Sequence, residues 1–312
     1  MSERGSGGRS VIRPGASRLR ARRQLAVALL LVPLLVLGAL LGAAKCYPPN
    51  TRVVVFMQGL YSSLDASGPV TDGVEPHTFD TLKQAFIAKG YDPAKLLDFS
   101  YAGGTISADG AWHPAPYGCE ITDRTSDQNL VPLERMLSDY RAAHPKAHFT
   151  LVGHSLGGYL AFLEGAREAA RPMAQQLGID AVVTLDAPLK GVNADKKFVL
   201  DISSPCAKTY LAGGELVEVR QDPATPATRA AQAAAMAQQG IRLATLGSDF
   251  DCLYNLPYCI GSGTNDTDSQ FLPGQAALSR AYEIHINPFL SHFAILANAA
   301  AVADTVRFVG AP

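Results

Sequence analysis

From residue 51 onward the chain alternates between two hydrophobic patterns. Short apolar runs rich in β-branched residues at 52–57 (RVVVFM), 96–101, 148–152 (HFTLV), 181–185 (AVVTL), 241–246 and 282–286 predict strands. Between them lie segments with helical spacing: 78–89, stopped by Gly90; 129–143, with Leu130, Leu133, Leu137 and Tyr140 on one side; and 156–170, ending before Pro172. An alanine-rich helix is predicted over about 224–239 and a last one over about 292–308. This alternation predicts an α/β fold, a mostly parallel central sheet with helices on both faces. Two stretches break the rhythm. Residues 102–127 and 189–222 follow strands and are rich in Gly, Pro and Asp. Strand ends carry the sites of such sheets, so these stretches read as lid or pocket-lining insertions, with plain surface loops as the alternative.

Upstream of the body, residues 25–44 are apolar for 20 positions without a charge. Twenty helical residues at about 1.5 Å each span a hydrocarbon core of about 30 Å. Residues 1–24 are basic and belong on the cytoplasmic side, which places the 45–312 domain outside. Gly42-Ala43-Ala44 also offers the small residues of a signal-peptidase site, so a membrane anchor and a cleaved signal both stay open. Either way the expectation is export, anchored or secreted.

Composition narrows the function classes. With 47% hydrophobic and 18% charged residues over 312 positions, the chain holds enough apolar material for one sizeable core. The net charge of −1 conceals an asymmetry: setting aside the seven arginines and Glu3 of residues 1–44 leaves 20 basic and 27 acidic residues, a net of −7. A body of that sign repels phosphate backbones and argues against nucleic acid as a partner. The five cysteines are Cys46, Cys119, Cys206, Cys252 and Cys259. In an oxidising compartment Cys252 and Cys259 can staple one loop and Cys119 can pair with Cys206, with free thiols as the alternative. No CxxC or HExxH spacing points to a metal.

The informative peptide is Gly153-His154-Ser155-Leu156-Gly157-Gly158, a G-x-S-x-G turn directly after a predicted strand and directly before a predicted helix. A bare match to that pentapeptide means little; its strand–turn–helix setting gives it weight. Such a turn forces the serine into a strained conformation, and the flanking glycines admit close backbone packing. The helix N-terminus behind it favours developing negative charge. The peptide resembles the nucleophile turn of lipases and esterases of the α/β-hydrolase fold, and the order of elements over most of 51–308 is similar to theirs. That resemblance makes Ser155 the nucleophile. The run 53–60 (VVVFMQGL) resembles the strand that ends in His-Gly and donates an oxyanion-hole amide, with Gln58 here in place of the histidine. The amides of Leu60 and Leu156 would then hold the oxyanion.

A serine hydroxyl needs a histidine to take its proton and an acid to orient that histidine, in the chain order Ser, acid, His. Only His285 and His292 follow Ser155. His292, after the last strand in NPFLSHFAIL, resembles the family's base. Fourteen carboxylates lie between Ser155 and His292. Asp251, four residues beyond Gly247 in LATLGSDFDCL, resembles the family's acid and is the preferred choice; Asp186, in AVVTLDAP, resembles the acid position of pancreatic-type lipases and is the competitor. Asp249, Asp266 and Asp268 stay behind these two. The resemblance implies a cofactor-free serine esterase acting on a small ester or lipid. Transfer of the acyl group to an alcohol by a cell-envelope acyltransferase, and a membrane-anchored binding module without catalysis, are the alternatives. Nothing in the sequence sets the oligomeric state.

Overall fold

The computed structural model describes residues 51–65, 68–71, 75–76, 78–192, 206, 211–248, 276–284 and 288–312. The leader and its 25–44 apolar run, Asp249, Asp251, the Cys252–Cys259 pair, Asp266, Asp268 and His285 lie outside the described residues. Among the described residues no helix is long and apolar enough to cross a membrane.

Six strands form the central sheet: β1 (Arg52–Met57), β2 (Leu96–Asp98), β3 (His148–His154), β4 (Ile179–Leu185), β5 (Arg242–Ser248) and β6 (Leu278–Tyr282). Their order is β6-β5-β4-β3-β1-β2, and every neighbouring pair is parallel. The near-continuous apolar runs of β1, β3 and β4 follow from burial on both faces. Successive side chains of a strand point to opposite sides. Val53, Val55 and Met57 accordingly enter one core, while Val54 and Phe56 enter the other.

Among the described residues seven helices cover the two faces: α1 (Asp80–Ala88), α2 (Ser126–Ala143), α3 (Leu156–Ala170), α4 (Leu211–Gln221), α5 (Thr225–Gln238), α6 (Pro288–Ala294) and α7 (Ala299–Val309). Leu130, Leu133 and Leu137 of α2, Leu160 and Phe162 of α3 and Met236 of α5 fill the core on one side. Leu82 and Phe86 of α1 with Val302, Val306 and Val309 of α7 fill the other. α2 begins at a capping box, the Thr125 hydroxyl accepting from the Gln128 amide and the Gln128 side chain accepting from the Thr125 amide. The C-terminal half of α3 carries a charged network. Fully buried Glu164 meets Arg171 at 2.7 Å, and Glu168 accepts the amides of Leu177, Gly178 and Ile179 as the chain enters β4.

Two sequence expectations need correction. The stretch 292–308 is two helices rather than one. Asn298 accepts the amides of Ala300 and Ala301 through its side chain and so starts α7 afresh. The last strand is Leu278–Tyr282 rather than 282–286, because pairing with β5 sets Leu278 opposite Ala244 and Tyr282 opposite Ser248. Both stretches outside the alternation contain regular elements among their described residues. Residues 104–106 and 112–114 form a hairpin, a short 3₁₀ turn spans Cys119–Thr122, and the second stretch contains α4. A disulfide between Cys119 and Cys206 joins them across 87 residues, Cα to Cα 5.6 Å. A three-stranded antiparallel sheet over Ser62–Asp65, Gly68–Thr71 and Glu75–Pro76, which the hydrophobic pattern did not predict, follows β1.

Candidate active site

Strand order reverses between β1 and β3: β1 is followed outward by β2 on one side, β3 by β4, β5 and β6 on the other. In open parallel sheets a crevice forms at such a reversal, outside the carboxyl ends of the strands. Gln58-Gly59-Leu60 leaves β1 there, and Ser155 leaves β3 beside it.

Among the described residues three non-glycine residues have positive φ, and all three sit just beyond adjacent strands at that edge: Tyr61 after β1 (φ 60°), Ser155 after β3 (φ 55°) and Asp186 after β4 (φ 45°). Each such residue costs about 1–3 kcal/mol and persists only where its surroundings over-determine it. For Ser155, with ψ −125°, the surroundings are explicit. Its amide donates to the Leu185 carbonyl at 2.9 Å, and its own carbonyl accepts the Tyr159 amide, which starts α3. Glycines make room for the turn. A Cβ on Gly153 would strike the Gly157 carbonyl, one on Gly157 would strike the Met57 and Gln58 carbonyls, and one on Gly158 would lie 2.7 Å from the Ala187 Cβ. A Cβ on Gly59 would come within 2.9 Å of the Ser155 Cβ and 3.3 Å of its Oγ. The β1 exit loop therefore lies directly against the serine.

Ser155 is 8% exposed. Leu156 is the first residue of α3, and the amides of a helix's first turn lack intrahelical acceptors. Among the described residues no hydrogen bond takes the amide of Leu60 or of Leu156.

His292 lies on α6, which the chain enters after β6, and is 1% exposed. The Nε2 of His154, the residue immediately before Ser155, lies 2.8 Å from the His292 carbonyl, and the two rings stand 4.6 Å apart. A carbonyl only accepts, so Nε2 carries the proton and donates. Burial, reinforced by the neighbouring His292 ring, holds the His154 imidazole well below the ordinary histidine range, in its neutral form. Residues 292 and 154, far apart in sequence, thus meet next to the serine turn.

Asp186 is fully buried, and its Oδ1 accepts the Ser248 amide at 2.6 Å. Its own amide donates to the Leu246 carbonyl, so it ties the end of β4 to the end of β5. Asp251 lies outside the described residues, three positions beyond the end of β5. Gln58 is fully buried, and among the described residues neither atom of its side-chain amide has a hydrogen-bond partner; its backbone carbonyl accepts from the Tyr101 hydroxyl at 2.7 Å. Among the described residues no group of three or more histidine, cysteine or acidic side chains gathers as a metal would require.

Sequence reasoning missed the hydroxyls that hold the β1 exit loop. Ser62 Oγ donates to the Gly59 carbonyl at 2.8 Å, and Thr122 Oγ1 accepts the Tyr61 amide at 2.7 Å. Neither residue carries a periodic or motif signal that points to its partner.

No protein-family model matches the chain, and no curated protein sequence matches it. Solved structures do. Lipase BlEst2 of Bacillus licheniformis in its mature form is 15% identical, with a TM-score of 0.51, the match covering 85% of this chain and 95% of that one. A lipase-esterase related protein of Clostridium acetobutylicum is 11% identical at a TM-score of 0.45, over 83% and 94% of the two chains. Phospholipase PlaB of Legionella pneumophila is 12% identical at a TM-score of 0.43 over 64% of this chain, which spans only 39% of that protein. At such identities the likeness is one of fold. A six-stranded parallel sheet with helices on both faces matches the Bacillus lipase at the level of fold, and the chain has the α/β-hydrolase fold.

Proposed function

We propose that the protein is a serine esterase of lipase-like type, cleaving carboxylic esters through an acyl-enzyme on Ser155. The observation that carries this reading is the strained Ser155 at the sheet's reversal point, backed by Gly59 and preceded by His154, which bonds the backbone of His292. Residues strained by about 1–3 kcal/mol cluster at active sites and ligand clamps.

In this reading His292 removes the Ser155 proton as Oγ attacks the ester carbonyl. Asp251, arriving from beyond β5, fixes the imidazole tautomer and stabilises the imidazolium. The tetrahedral oxyanion is met by the amides of Leu60 and Leu156, the latter at the positive end of α3. His292 then protonates the leaving alcohol, and water, activated by the same imidazole, releases the acid. No cofactor enters these steps. Asp186 is left with the structural task of joining β4 to β5.

Ester or lipid substrates fit both this chemistry and the lipase-like structures that share the fold. Export fits the Cys119–Cys206 disulfide, since such bonds persist in oxidising compartments. Turnover of p-nitrophenyl butyrate tests the proposal: Ser155→Ala and His292→Ala are each expected to lower kcat by about four to six orders of magnitude with unchanged thermal unfolding. Wild-type turnover in either folded variant overturns it.

A further inference from the structure

The loop that leaves β1 is fixed one peptide unit at a time. The Gln58 carbonyl accepts from the Tyr101 hydroxyl at 2.7 Å, the Gly59 carbonyl from Ser62 Oγ at 2.8 Å, and the Tyr61 amide donates to Thr122 Oγ1 at 2.7 Å. All of these hydroxyl-bearing residues are buried, Ser62 and Thr122 completely. Their proton assignments are forced. Thr122 Oγ1 gives its proton to the Cys119 carbonyl at 2.8 Å, which leaves its lone pairs for the Tyr61 amide. Ser62 Oγ gives its proton to Gly59, so the Tyr117 hydroxyl, 3.1 Å away, donates to Ser62.

The middle bond has a geometric consequence. The Gly59 carbonyl and the Leu60 amide belong to one planar trans peptide, in which C=O and N–H point in opposite directions. Holding the carbonyl therefore aims the amide. On the next peptide, the Thr122 bond holds Tyr61 at its φ of 60° and prevents the plane from rotating away. Thr122 is itself anchored, since its carbonyl accepts from Asn129 Nδ2 at 3.0 Å and Cys119, three residues earlier, is in the disulfide.

We propose that Ser62 and Thr122 are positioning residues of the ester-cleaving site, a pair of buried hydroxyls that aim the Leu60 amide at the developing oxyanion. The inference rests on the serine-esterase reading, because only there does the Leu60 amide have a charge to meet. Both hydroxyls act through the backbone and touch no substrate. Donation into the Gly59 carbonyl also polarises that peptide and strengthens its N–H as a donor.

The test compares Ser62→Ala, Thr122→Val and Thr122→Ser with wild type on p-nitrophenyl butyrate and on a boronic acid that forms a tetrahedral serine adduct. Loss of a whole oxyanion donor costs about 10²–10³ in kcat, so a misaimed one is expected to cost roughly 10- to 100-fold. The expected pattern is that fall in kcat for Ser62→Ala and Thr122→Val, with KM within about twofold and boronate affinity falling in parallel. Thr122→Ser, which keeps the hydroxyl, is expected to restore both. A valine variant with wild-type kcat overturns the proposal, as does a serine variant as impaired as the valine one. Should Thr122→Val fail to fold, Ser62→Ala decides alone, with wild-type kcat again the contrary result. Ser155→Ala separates the two levels. If it keeps activity, the esterase reading fails, and the clamp falls with it; if it is inactive while Ser62→Ala and Thr122→Val match wild type, only the clamp fails.

Discussion

His154 donates from Nε2 to the carbonyl of His292 at 2.8 Å, so the residue before the strained serine holds the backbone of the helix that brings in the second imidazole. Because His154 is fully buried and its folded pKa is depressed, it favours the folded state only while neutral. Its contribution is complete above the unfolded histidine value of about 6.5 and fades as pH falls below it. The melting temperature is expected to drop between about pH 7 and pH 5, and His154→Gln, which keeps a donor and cannot be protonated, to flatten that drop. Thermal unfolding across this range checks it; an unchanged slope in the variant contradicts it.

Glu164 titrates in the opposite sense. Burial raises its carboxyl to about 7 despite the Arg171 guanidinium at 2.7 Å. A raised folded pKa means stability that is full below the unfolded value of about 4.3 and is lost as pH rises through the folded one. Glu164→Gln mimics the protonated form. It is expected to match wild type near pH 4.5 and to gain on it up to pH 7, by about 2–3 kcal/mol at most. Urea unfolding at the two pH values measures the difference.

Gln58 stands where the resembling enzymes carry histidine, and both atoms of its buried amide lack partners among the described residues. Burying an unsatisfied amide costs about 1–3 kcal/mol. Gln58→Leu removes the amide at similar volume and is expected to raise the unfolding free energy by roughly that amount without lowering kcat, since the loop's contacts run through the backbone. A destabilised variant would mean that the amide is satisfied in solution.

The Cys119–Cys206 bond closes a long loop and braces the turn that carries Thr122. Chain-entropy accounting assigns such a closure about 4–5 kcal/mol. Cys206→Ser is expected to unfold at lower denaturant by about 2–5 kcal/mol, and reductant to have the same effect on wild type. Equal stability with and without reductant contradicts it.

The two carboxylates weighed for the triad should separate by phenotype. Asp186 sits at positive φ and accepts the Ser248 amide. Asp186→Asn should mainly lower stability, by about 1–3 kcal/mol. Asp251→Asn should instead lower kcat by about 10⁴-fold in a folded protein. A larger kcat loss for Asp186→Asn would reverse the assignment.

What the sequence made legible was whatever repeats along it. The runs 52–57, 148–152 and 181–185 are apolar on both faces because their strands are covered on both, and each run recurs as a strand of the sheet. The strand–serine–helix junction was legible because three glycines and a serine must fall at fixed spacing for α3 to sit against β1 and β3. Helix α4 was not, since Gly213-Gly214 breaks its pattern and its burial depends on contacts from elsewhere in the fold. The split at Asn298 was hidden because the apolar spacing continues across it while one side-chain cap decides the break. Ser62 and Thr122 were invisible for a related reason: the Tyr61–Thr122 bond joins residues 61 positions apart, and a lone hydroxyl carries no periodicity.

The proposed nucleophile is the hydroxyl of Ser155. Treatment of the folded protein with a fluorophosphonate, followed by mass mapping of the adduct, tests this most directly. A single adduct on Ser155, absent in Ser155→Ala and slowed by about three or more orders of magnitude in His292→Ala, is the predicted result. An adduct on another residue, or labelling that persists at the wild-type rate in Ser155→Ala, would contradict it.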